Sequence, residues 1–231
     1  MMLQTRKRHI LYIAITATMV MGGRGYAQVL VPDMPRNRDL ILMQEQYQQS
    51  HYAVAAHSAK QYLDAAGEKI APERQADVDK AKYYFAIAAV KAELPGCDDD
   101  AIRIMKEVAN PAYDQRIAFT LGQYYFKQDN MADAIPMYEQ AGITNLNNEE
   151  IADAKFELAY CYFNDKQFGK AEPLLFAIKE LKEGKYYSAG NYYYGLLAYN
   201  ENKYKEALKC FSRIRDLKEY KAVVPYYIAE I

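Results

Sequence analysis

Small and large apolar residues follow one another along residues 115–214 in a pattern that occurs three times. Within each unit, a glycine or alanine is followed twelve residues later by an alanine. These pairs are Gly122 with Ala134, Ala159 with Ala171, and Gly195 with Ala207. A large residue precedes the first member of each pair, and another lies four residues after the second. The first small residues are 37 and 36 positions apart, a period that indicates a stacked array of short units.

Each half of a unit has the spacing of an amphipathic helix, because its apolar residues recur at three and four positions. Short polar breaks separate the halves, at residues 128–130, 165–167 and 201–203. Breaks of this length fit tight turns between antiparallel helices. The small residues let two crossing helices approach closely while large neighbours fill the space beside them. The pattern therefore predicts an all-α fold of stacked antiparallel helix pairs.

Further positions agree among the units. In two units an aromatic residue lies three positions after the first small residue (Tyr125, Tyr162). In two units an aromatic residue lies three positions before the second small residue (Phe168, Tyr204). The agreement runs without a gap through 115–141, 152–178 and 188–214. On these residues the sequence resembles the tetratricopeptide repeat (TPR) family.

The resemblance implies a right-handed TPR superhelix, which is an α-solenoid. Three residues depart from the family pattern. Ala198 stands where the third unit should have an aromatic residue, and Pro136 and Pro173 fall inside predicted second helices. An internal proline removes a backbone hydrogen bond and can kink a helix.

Outside the three units the pattern is weaker, and it divides the chain into five parts. We predict a signal peptide at 1–27, an extended lead-in at 28–37, degenerate TPR-like helix pairs at 38–114, three TPR units at 115–221, and the first helix of an incomplete further repeat at 222–231. That last helix would leave apolar residues uncovered, so we expect a natural protein that continues past Ile231. The alternatives are that the segment packs as a cap or that the uncapped helix self-associates.

The amino terminus has the features of an export signal. Basic residues within 4–9 precede an apolar run at 10–23, and small residues precede Gln28. The apolar run is shorter than the ~20 residues that a membrane-spanning helix needs. We expect cleavage before Gln28 and a periplasmic location in the cell envelope of a Gram-negative bacterium, with an uncleaved anchor as the alternative. No later segment is long and apolar enough to span a membrane.

Charge and motifs exclude several classes of function. The net charge of −1 becomes −5 when the basic residues of 1–27 are left out, which does not suit nucleic-acid binding. Asp98, Asp99 and Asp100 fit a helix amino terminus better than a calcium loop. The cysteines are Cys97, Cys161 and Cys210, and we expect buried thiols, with one disulfide as the alternative. No catalytic motif, metal site or cofactor is predicted, so the chain is not expected to be an enzyme.

A second apolar stripe on each predicted first helix is the candidate for function. In TPR proteins this stripe lines a concave groove that binds peptides, and the resemblance places here Phe119, Phe126, Phe156, Tyr160, Phe163, Tyr192 and Tyr199. Lys127, Asn164 and Asn200 follow the stripes and are suited to hydrogen-bond a peptide backbone. Arg116 and Lys127 are the only cations that we place there. The alternative is that these rings only pack against the next unit.

The sequence thus predicts an exported, non-enzymatic scaffold that binds proteins or peptides through a concave aromatic groove. The alternative is a structural spacer within a larger cell-envelope TPR protein whose function lies beyond the carboxyl terminus.

Overall fold

The computed structural model describes residues 34–231, and in that part of the chain every regular element is helical. The helices are α1 (Met34–Gln48), α2 (Tyr52–Ala66), α3 (Gln75–Lys91), α4 (Cys97–Glu107), α5 (Pro111–Lys127), α6 (Met131–Ala141), α7 (Asn148–Asn164), α8 (Phe168–Lys179), α9 (Tyr187–Asn200), α10 (Tyr204–Ile214) and α11 (Val224–Glu230). A single 3₁₀ turn, Pro72–Arg74, precedes α3. The predicted all-α fold is confirmed.

The helices form five successive pairs, and α11 follows the last pair. Within each pair the two helices pack on one another, from α1 with α2 to α9 with α10. Each second helix also contacts the first helix of the next pair, and successive first helices from α1 to α9 contact one another. First helices therefore share one face of the array, which is the face that carries the second apolar stripe.

One backbone conformation closes all five pairs. In each turn a non-glycine residue has a φ between +52° and +61°, and these residues are Ser50, Glu93, Asp129, Lys166 and Asn202. The next N–H reaches back to a carbonyl five residues earlier, as from Gln167 to Tyr162 at 2.8 Å. This left-handed ending satisfies carbonyls that a helix end leaves free. Polar residues tolerate it without glycine, although at some cost in backbone strain.

The paired helices cross at the small residues. A Cβ atom added to Gly195 would lie 2.7 Å from the Phe211 ring, and one added to Gly122 would lie 2.9 Å from the Tyr138 ring. The middle unit has Ala159 at this position, and there the residue sixteen positions later is Leu175 rather than a ring. Glycine therefore stands where the partner helix presents an aromatic ring, and alanine stands where it presents the smaller leucine.

Two boundaries differ from the sequence prediction. Residues 34–37 were assigned to an extended lead-in, but α1 begins at Met34. Pro35 lies in the first turn, where a helix needs no N–H donor. Similarly, α5 begins at Pro111, ahead of the predicted unit start at 115, because Asn110 caps its amino terminus by accepting from the Ala112 N–H. Residues 1–33, which include the predicted signal peptide, lie outside the described part.

The acidic run at 98–100 and the three cysteines lie in the surroundings that the sequence predicts. Asp98, Asp99 and Asp100 form the first turn of α4, as expected from their charge. All three cysteines are buried and unpaired, and burial raises the pKa of the Cys161 thiol to about 12. Buried thiols are thus confirmed. Self-association through α11 stays a prediction; the Tyr226 side chain there is 62% exposed.

The buried apolar residues form two clusters. The larger extends from Ala55 to Val224 and includes the interior of the three regular units. The smaller joins α1, α2 and the start of α3 and comprises Leu40, Met43, Ala59, Tyr62, Val78 and Ala81. Tyr84 and Phe85 of α3 pack against both. The first helix pair therefore contributes to both clusters, because Ala55 and Ala56 of α2 belong to the larger one.

Tyrosine–carboxylate hydrogen bonds cross the α6–α7 junction in both directions. The Tyr138 hydroxyl donates to Glu157, and the Tyr162 hydroxyl donates to Glu139 at 2.5 Å. Burial raises the pKa of Glu157. At Glu139, hydrogen bonds from Tyr162 and Lys170 lower the pKa instead. The two hydrogen bonds are of the same kind, but the pKa of one carboxyl is raised and the pKa of the other is lowered.

The helix crossing generates a first prediction. Gly195→Ala should overpack against Phe211, at about 1–3 kcal/mol, partly offset by the better helix propensity of alanine, about 1 kcal/mol. Phe211→Leu should remove the clash, because it recreates the Ala–Leu combination of the middle unit. We therefore expect a double-mutant cycle, measured by urea unfolding, to give a favourable coupling of about 1 kcal/mol. Additive single-variant effects would contradict close contact at this crossing.

The junction carboxylates generate a second prediction. Because the pKa of Glu157 is raised in the folded chain, its ionisation opposes folding, and stability falls as pH rises through the folded pKa. Glu157→Gln should therefore raise Tm at pH 8, and the gain should shrink as the pH falls toward the ordinary carboxyl pKa. The matched variant Glu139→Gln should lower Tm at pH 8, since a lowered pKa means that ionisation favours folding. Thermal unfolding measured from acid pH up to pH 8 tests both variants, and Tm changes of equal sign at pH 8 would contradict the assignment.

Candidate functional site

Aromatic side chains of three successive first helices meet on their shared face. The ring centroids of Phe126 in α5 and Tyr160 in α7 are 5.7 Å apart. Tyr160 in turn lies 5.3 Å from Tyr193 in α9, and Phe163 lies 5.2 Å from the same ring. Edge-to-face contacts at these separations are favourable beyond the burial of apolar area. We call this continuous set the aromatic band; its members are Phe126, Phe156, Tyr160, Phe163, Tyr192 and Tyr193.

The aromatic band continues beyond the three first helices. Phe156 stacks on Tyr186 with centroids 4.2 Å apart, and Tyr192 lies 5.1 Å from Tyr220. At the far end, Tyr199 packs on Tyr227 of α11 and donates its hydroxyl to Glu230 at 2.8 Å. The connected rings thus extend from α5 to Tyr220, and a separate group of rings joins Tyr199 of α9 to α11.

The rings of the aromatic band are all half-buried. Part of each ring area supports the stacking of one unit on the next, and part remains at the surface. The sequence left open whether these rings line a groove or pack against the next unit, and half-buried rings are able to do both. Half-buried aromatic rings are well suited to anchor a partner, because their position is fixed before binding.

One residue of the predicted stripe is not available at the surface. Phe119 is only 3% exposed, and its ring centroid is 6.3 Å from that of Tyr138 on α6. It belongs to the interior of its own helix pair, so the prediction that Phe119 lines the groove is wrong. Tyr199 remains half-buried at the surface, like the members of the band.

The polar residues that follow the stripes are exposed at the ends of the first helices. Asn164 donates to the Tyr160 carbonyl at 2.9 Å, which caps the last turn of α7. Lys127 forms an ion pair with Glu93 of the preceding unit. Asn200 is exposed at the end of α9. The structure therefore places the three predicted polar residues along one rim of the face.

Neither predicted cation is isolated. Arg116 makes a bidentate pair with Glu150, at 2.8 and 2.9 Å, and also donates to the Asn145 carbonyl. Glu150 itself closes a capping box with Asn147 at the start of α7. Burial raises the pKa of Glu150, but hydrogen bonds from Arg116 and the Asn147 backbone outweigh it, and the net pKa lies below its usual range. Arg116 thus fixes the junction between two units.

Sequence reasoning missed Tyr193 and Tyr186. Tyr193 contacts Phe156, Tyr160 and Phe163, so it has a central place in the aromatic band. Its counterparts in the aligned units are Thr120 and Glu157, which hides it from a comparison of units. The signal that could have found it is the run of three tyrosines at 192–194. Burial raises the pKa of both Tyr193 and Tyr186, so these rings are neutral at ordinary pH.

Between residues 34 and 231, no three or more His, Cys, Asp or Glu side chains are grouped so as to hold a metal ion. No helix in this range has both the length and the apolarity to cross a membrane.

Known proteins resemble this chain in structure rather than in sequence. No protein-family model matches the sequence, and no curated protein is significantly similar to it. The solved structure of MamA superimposes with a TM-score of 0.60 at 16% identity, covering 81% of this chain and 93% of MamA. YrrB, a TPR protein with an unusual peptide-binding site, superimposes with a TM-score of 0.57 at 15% identity, covering 81% and 89%.

A third structure agrees with these two. PilF of Pseudomonas aeruginosa superimposes with a TM-score of 0.51 at 14% identity, covering 83% of this chain and 88% of PilF. Likeness at such low identity concerns the backbone, and it agrees with the paired helices described above. The chain therefore has the fold of the tetratricopeptide repeat proteins.

Proposed function

We propose that this chain is a non-enzymatic scaffold that binds a protein or peptide partner through the face formed by its first helices. The observation that carries the proposal is the aromatic band, in which rings from α5, α7 and α9 form one connected surface. A few aromatic anchors usually dominate the energy of such interfaces. In the proposed complex, the partner covers the exposed part of these rings.

The arrangement of polar groups favours an extended segment as the bound form. Asn164 and Asn200 lie at equivalent ends of α7 and α9, one unit apart, where their exposed amides can hydrogen-bond the backbone of a partner at two separate points. Arg116 and Lys127 are engaged by Glu150 and Glu93. Recognition of a free carboxylate tail by a basic clamp is therefore not the proposed mode; apolar side chains on the rings would supply the affinity.

The likeness to YrrB supports the same function by analogy, since that protein has the same fold and a peptide-binding site. A shared fold alone does not transfer a function. The aromatic band of this chain therefore carries the proposed function.

We also propose that the protein is exported to the periplasm after removal of residues 1–27. The proposal follows from the basic, apolar and small-residue segments that precede Gln28. A tyrosine-rich binding face in that compartment would meet envelope or secreted proteins.

The binding face can be tested by site-specific crosslinking. A photoreactive residue at Asn164 or Asn200 should capture a partner in intact cells, whereas one at Lys209 or Ser212 on α10 should not. A peptide from the captured region should then bind the purified chain in a titration. Asn164→Arg and Asn200→Arg should each weaken that binding about tenfold, because each places a bulky charge at the rim of the rings.

The control is Ser212→Arg, an equally exposed change on a second helix, which should leave binding unchanged. Capture from α10 as efficient as from α7 and α9, or rim variants with unaltered affinity, would rule out this face.

Export can be tested separately by mass. When the full chain is expressed in a Gram-negative host, the periplasmic fraction should contain a protein whose first residue is Gln28. Ala27→Arg should block cleavage, because a signal peptidase requires a small residue immediately before the cleaved bond. An intact chain that begins at Met1 in the cytoplasm would refute the proposal.

A further inference from the structure

A second connected set of rings lies upstream of the aromatic band. The ring centroid of Tyr47 in α1 is 5.9 Å from that of Tyr84 in α3, and Tyr83 stacks on Tyr113 of α5 at 4.4 Å. Tyr83 and Tyr84 are themselves 5.0 Å apart. We call this set the tyrosine cluster; its members are Tyr47, Tyr52, Tyr83, Tyr84 and Tyr113. Tyr83 is buried, and the other four rings are half-buried, like those of the aromatic band.

The tyrosine cluster and the aromatic band occupy equivalent positions on their first helices. Counted back from the left-handed residue that closes each pair, Tyr84 and Tyr193 are both at the ninth position, and Tyr47 and Phe126 are both at the third. Residues at one such position lie on the same side of successive first helices, because those helices repeat the same packing. The tyrosine cluster therefore belongs to the face that carries the aromatic band.

Polar residues separate the two sets of rings. No aromatic contact joins the tyrosine cluster to the aromatic band within residues 34–231. Between α3 and α5 the face has a pocket of about 190 Å³, whose wall includes Lys91, Gln123 and Lys127. Lys91 donates to Gln123 at 2.8 Å, and the bidentate pair of Arg116 and Glu150 follows between α5 and α7. The middle of the face thus presents charged and amide groups instead of rings.

The distance between the two sets follows from the stacking of the helix pairs. The tyrosine cluster is centred on α3 and the aromatic band on α7, and α5 contacts both of these helices. Packed helix axes are about 8–10 Å apart, so the two steps cover about 20 Å. An extended segment covers that distance in about six residues, at about 3.3 Å per residue.

We propose that the segment bound by this face is bipartite, with two groups of apolar side chains, separated by about six polar residues, that contact the tyrosine cluster and the aromatic band together. The inference rests on the binding face proposed above and adds to it a second anchor site and a spacing. Apolar side chains over the middle of the face would remove its charged groups from water without replacing their hydrogen bonds, which costs free energy. Two linked anchors avoid this cost, and the second contact becomes intramolecular.

Synthetic peptides test the spacing. One peptide carries a single Phe-Leu anchor within serine and glutamine residues, and two others carry two such anchors separated by two or by six of these polar residues. Titration of the ¹⁵N-labelled chain by NMR should show the six-residue spacer binding one to one, with shifts in α1, α3, α7 and α9. It should bind at least about tenfold more tightly than the single-anchor peptide. The two-residue spacer cannot reach both sets, so its gain should be only about twofold, from having two copies of the anchor.

Ile41→Arg is the variant that isolates the tyrosine cluster. Ile41 is 46% exposed and occupies the ninth position of α1, as Tyr84 does in α3, so the arginine places a charge beside the cluster without entering the core. The peptide with the six-residue spacer should then bind only as well as the single-anchor peptide. Leu42→Arg is the matched control, because Leu42 is 45% exposed but borders a pocket with α2. It should leave the affinity unchanged, and both variants should keep the Tm of the unaltered chain.

Two results would overturn bipartite binding and leave the proposed function in place. The first is a six-residue spacer that binds no more tightly than the single anchor, although the single anchor shifts residues of α7 and α9. The second is a gain that survives Ile41→Arg, which would place both anchors outside the tyrosine cluster. If no peptide shifts residues of α7 and α9 up to about 1 mM, where affinities of that order are detected, the proposed binding face fails and bipartite binding fails with it.

Discussion

The close crossing of two helices at a residue with almost no side chain is the constraint on which this structure depends. At Gly122 and Gly195 the backbone lies against an aromatic ring of the partner helix, with no room for a Cβ atom. The ring then fills the space that two close backbones leave between their other side chains. Since each pair is fixed in this way, its first helix presents a defined face, and the stacking of pairs brings those faces into register.

The same aromatic residues contribute to stability and to the candidate surface. In a stacked array each unit contacts only its neighbours, so the interfaces between units must supply much of the stability. Phe156 and Tyr193 provide such contacts and remain partly exposed. A binding face built from interface residues is rigid, because the rings cannot rotate away without loosening the array. Rigidity lowers the entropic cost of binding.

The sequence predicted the helix pairs, the crossings and the turns, because these depend on local spacing and on the size of single residues. It failed where the neighbour of a side chain decides its role. Phe119, Phe156 and Tyr192 occupy equivalent positions, but only Phe119 turns into its own pair beside Tyr138. Tyr193 was overlooked because its counterparts are not aromatic. The position of α1 depended on whether Pro35 breaks a helix or begins one, and proline can do either.

The second apolar cluster has a consequence for how the array opens. Leu40 and Met43 pack α1 mainly into the smaller cluster, whereas Ala55 and Ala56 join α2 to the main one, so opening of α1 should disturb the later helices least. Hydrogen exchange would then show a low free energy of opening at the amino-terminal end and a higher one in α5–α10.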